Sequence, residues 1–92
     1  MSTHNEHELN AYRDRLLSLL TRVRTAPDLP SLDADFYIVL GWISAGHCLD
    51  AISIGASDSL HNLVLNASQY RSAEFAHQAE AQRLARAQER AA

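Results

Sequence analysis

The sequence predicts a small all-α domain, a three-helix bundle whose last helix is long and projects beyond the others. Three observations predict it. Apolar residues recur at helical spacing in three successive segments. Proline and glycine signals separate those segments, and alternating apolar–polar runs and Asn-Gly or Asp-Gly hairpin turns are absent. The 92 residues suffice for one domain and are too few for two. At this size a chain buries only about 60–65% of its unfolded surface, so the core is modest. Residues 1–92 are therefore read as a single helical domain, with residues 1–6 as a disordered N-terminus and 76–92 as a polar, Ala-rich helical tail.

The first helix is expected from about Glu6 to Thr25. Leu9, Tyr12, Leu16, Leu19, Leu20 and Val23 fall within about 100° of arc, with arginines mostly outside it. Glu6 and Glu8 suit the positive end of the helix dipole, and Arg22 and Arg24 the negative end. Pro27 and Pro30 then stop the helix and stiffen the connection. Ser31 or Asp33 is the expected cap of the next helix.

The second helix is expected from about Leu32 to Ile54, and it is apolar nearly all round. Phe36, Val39, Leu40, Ile43 and Ile54 form one face. Ile38, Trp42, Ala45, Leu49 and Ile52 form another, and Gly41, Ser44 and Cys48 make a lane of small side chains between them. A helix that is oily on all sides must be covered on all sides, which two neighbours in a three-helix domain do not easily achieve.

Gly55 offers the left-handed conformation that ends a helix. Ser57 or Asp58 would cap a third helix beginning near Ser59, whose inward arc is Leu60, Leu63, Val64, Ala67 and Tyr70. Arg71 and Glu74 then enter the same arc, with Phe75 at its margin. Beyond Ala76 the only large apolar residue is Leu84. Local helix propensity there is high but there is little to bury, so the last turns are expected to project or fray.

Composition narrows the function classes. The hydrophobic fraction of 47% and charged fraction of 21% are globular values. The formal net charge of −3 argues against nucleic-acid binding, which draws its affinity from phosphate neutralisation. The single cysteine, Cys48, excludes an internal disulfide framework. The polar start of the chain lacks the order of a signal peptide, and the apolar stretch from Phe36 to Ile54 contains His47 and Asp50, so a buried helix is expected there and no membrane span. The expected location is the cytoplasm.

No catalytic or cofactor-binding constellation stands out, so the chain is read as a non-enzyme with no cofactor and no metal. His47, Cys48 and Asp50 are the one cluster that suggests catalysis. Adjacent residues on a helix diverge by about 100°, so His47 cannot serve Cys48 as a base. His47 and Asp50 could meet as a hydrogen-bonded pair. His4 and His7 with Glu6 and Glu8 lack the cysteine spacing of structural zinc sites. His61 and His77 lie too far apart on one helix to share an ion and are read as surface residues. Asn66-Ala67-Ser68 matches a glycosylation acceptor, a short motif discounted without a secretion signal. Gly41 and Gly46 have no preceding strand and read as points of close helix approach. No motif is specific enough to indicate a family.

The functional expectation is a small protein–protein interaction module acting through apolar helix faces. An inhibitor or adaptor fits, for example a bacterial, phage- or mobile-element-encoded antagonist of a host system. The expected partner-binding residues are Tyr37, Ile38, Trp42 and Leu49, together with Arg83, Arg86 and Arg90 on one face of the tail. The partner is another protein or a second copy in a homodimer. The alternative is a nucleic-acid-binding regulator that uses the arginine stripe. It would need a basic recognition helix, whereas the third helix opens Asp58-Ser59-Leu60-His61-Asn62.

Overall fold

In a computed structural model, which describes residues 5–91, three helices follow one another: α1 (Glu6–Arg24), α2 (Leu29–Cys48) and α3 (Ile54–Ala91). The all-α class and the long third helix are as the sequence predicts. Asn5 caps α1, its Oδ1 accepting from the Glu8 amide at 2.8 Å, so Asn5 and Glu6 belong to the helix start and not to a disordered stretch. The rest of the expected disordered segment, His4 included, lies outside the described residues.

Both connections differ in detail from expectation. Asp28 caps α2, accepting from the Ser31 amide at 2.8 Å, in place of Ser31 or Asp33. This start leaves Pro30 in the first turn, where an amide would have no partner anyway. The second helix stops at Cys48, not at Ile54. Asp50 takes the left-handed conformation with φ 61°, which aspartate tolerates better than most residues. The Ala51 amide then closes the turn on the Gly46 carbonyl at 2.7 Å. Gly55 is accordingly no terminator but part of the first turn of α3. Ser53 Oγ accepts from the Ala56 amide at 3.1 Å and takes the capping role expected of Ser57 or Asp58.

The core is one cluster. Leu16, Leu19 and Val23 from α1 meet Leu32, Val39 and Ile43 from α2 and Val64 from α3. The amphipathic arc of α1 and the Phe36–Ile43 face of α2 supply these positions as their spacing implies. The arc of α3 is narrower than expected: Leu63 and Tyr70 are exposed, while Arg71, which enters the arc as its spacing implies, is largely covered. Arg71 can face inward because its Nε donates to the Ala26 carbonyl at 2.8 Å and its guanidinium lies 4.3 Å from the Phe75 ring centre.

Polar ties fix the helix directions. Tyr12 near the start of α1 donates its phenol hydrogen to the Trp42 carbonyl near the end of α2, at 2.8 Å. Arg22 pairs at 3.0 Å with Asp35, a buried carboxylate in the first half of α2. Arg24 pairs with Glu74 and sits 5.0 Å over the Tyr70 ring. The bundle therefore runs up, down, up, with the α1–α2 connection reaching only the middle of α3. Beyond that level the residues from Ala76 to Ala91 form a fully exposed helical arm, and the molecule measures 69 × 21 × 15 Å.

Candidate functional site

Four of the seven expected partner-binding residues share one wall of a groove. Tyr37, Ile38, Trp42 and Leu49 stand along α2 opposite Leu9 and Tyr12 of α1, around an open apolar depression of about 540 Å³. Tyr37 (70%), Leu49 (64%), Ile38 (42%) and Trp42 (37%) are all substantially exposed among the described residues. Phe36, Leu40 and Ile43, one helical face away, face the core. The surplus apolar circumference of α2 is thus concentrated on a single side.

The two glycines of the groove act differently. Gly46 is buried, and a Cβ there would overlap the Tyr12 hydroxyl and lie 2.6 Å from Cζ. Its missing side chain lets the Tyr12 ring lie across α2, reach the Trp42 carbonyl and stack at 5.9 Å from the Trp42 ring. This partial burial pushes the Tyr12 phenol above its ordinary pKa of 10.0. Gly41 also lines the depression, but a Cβ added there meets nothing within 4 Å. It leaves a gap in the wall rather than a contact. The spacing of Leu9 with Tyr12 signals their shared arc, but nothing in the sequence says that Tyr12 forms the opposite wall.

Arg83, Arg86 and Arg90 are not brought to this groove. They lie on the exposed arm, where Arg83 makes a two-pronged bond to Glu80 at 3.0 and 2.7 Å. That bond lowers the Glu80 pKa and raises that of Arg83. A second furrow of about 570 Å³ runs between α1 and the start of α3, past Leu17, Leu20 and Leu60, with Arg13, Ser53 and Ser59 along it.

His47, Cys48 and Asp50 are all exposed, and no side-chain bond joins them. The expected His47–Asp50 pair does not form because Asp50 has left the helix. His61 is not a plain surface residue: its Nδ1 lies 2.8 Å from the Ser57 carbonyl oxygen, where it donates. Among the described residues no group of three or more His, Cys, Asp or Glu side chains could hold a metal ion, and no helix is long and apolar enough to cross a membrane.

Fold and groove together define a class, an up-down-up three-helix bundle with one open apolar groove and an extended third helix. The chain matches no protein-family model, no curated protein and no solved structure.

Proposed function

We propose that this chain is a non-enzymatic protein-interaction module, an adaptor or inhibitor whose α1/α2 groove receives the apolar face of a helix. One observation carries the reading: Tyr37, Ile38 and Trp42 are exposed along a single open apolar depression. Contiguous apolar surface of this kind marks partner sites, and tryptophan and tyrosine are the usual anchors of such interfaces. A shallow groove between two helices suits a third helix, which reads as anchors at i, i+3 or i+4 and i+7. The gap at Gly41 allows close approach. An exposed free thiol at Cys48 fits a reducing compartment such as the cytoplasm. The arginine stripe supports nucleic-acid contact less well, because Glu80 already engages Arg83 and the arm offers no aromatic side chain for stacking.

Gly41→Arg tests the reading. The new side chain enters open space, so the fold should persist while the groove is obstructed. Amphipathic helical peptides selected from a displayed library against the wild type should shift the emission of Trp42, the only tryptophan, to the blue. They should lose that effect with the folded Gly41→Arg variant. Peptides that bind both proteins equally, or a library that yields no binder, would overturn the proposal.

A further inference from the structure

We draw no further inference here: the strongest candidate, the open apolar groove between α1 and α2, belongs to the site already described, and nothing in the structure shows what covers it.

Discussion

Gly46 and Gly41 are both helical glycines lining one groove, yet substitution should move stability in opposite directions. At Gly46 a methyl group must displace the Tyr12 ring, which breaks the bond to the Trp42 carbonyl. Overpacking of this kind costs about 1–3 kcal/mol, enough to offset the roughly 1 kcal/mol by which alanine favours a helix. Gly46→Ala should therefore lower the urea midpoint, and the penalty should shrink in a Tyr12→Ala background, since the clash partner is gone. Gly41→Ala meets no atom and should stabilise by roughly 0.5–1 kcal/mol through backbone entropy alone. Tyr12 itself should titrate above 10.0 when followed by ultraviolet absorbance in a Tyr37→Phe/Tyr70→Phe background. Burial favours its protonated form, so its contribution to stability is full below pH 10.0 and is lost as pH rises through the raised value.

At the scale of elements, the start of α2 depends on Asp28. The Ser31 side chain and amide both hold the Asp28 carboxylate in its charged form and lower its pKa from 3.8. Asp28→Ala should lower the melting temperature at neutral pH, while Asp28→Asn, which can still accept from the Ser31 amide, should retain most of it. The cap contributes above pH 3.8 and is lost as pH falls through the lowered folded value. The difference between wild type and Asp28→Ala in thermal melts should therefore narrow on acidification. The faces of α2 were legible in the sequence because apolar spacing fixes which residues share a side: Val39 and Ile43 are buried, and Ile38, Trp42 and Leu49 are not. Its boundaries were not. Gly55 and the Ser57-Asp58 pair carry stronger local stop and start chemistry than Asp50 and Ser53, but the chain turns at the weaker signals. Turning there lets α3 begin at Ile54 and brings Ile52 and Leu60 against the core. The arc of α3 placed Arg71 inward from spacing alone, but not the carbonyl that receives it, nor the exposure of Leu63 and Tyr70. An inward arginine needs an acceptor, and the Ala26 carbonyl that accepts from Arg71 is distant in sequence. The groove itself needed two helices: the α2 wall could be read from spacing, while the place of Tyr12 opposite it depends on how α1 crosses Gly46.

At the scale of the molecule, stability should be divided. The bundle shares one core of seven fully or nearly fully buried large side chains named above, while the arm shares none of it. Amide hydrogen exchange should be slow at Leu19, Val39 and Val64 and fast over residues 76–91 in dilute protein.

The absence of glycine and proline from Ala56 onward has a mechanical consequence. With no hinge between bundle and tip, α3 behaves as a stiff shaft, and torsional phase is conserved along it. Adding one alanine after Ala79 would turn every later side chain by about 100° about the shaft, whereas adding seven would restore the phase to within about 20°. Whatever engages Leu84 should therefore respond to the angle of the insertion rather than to its size.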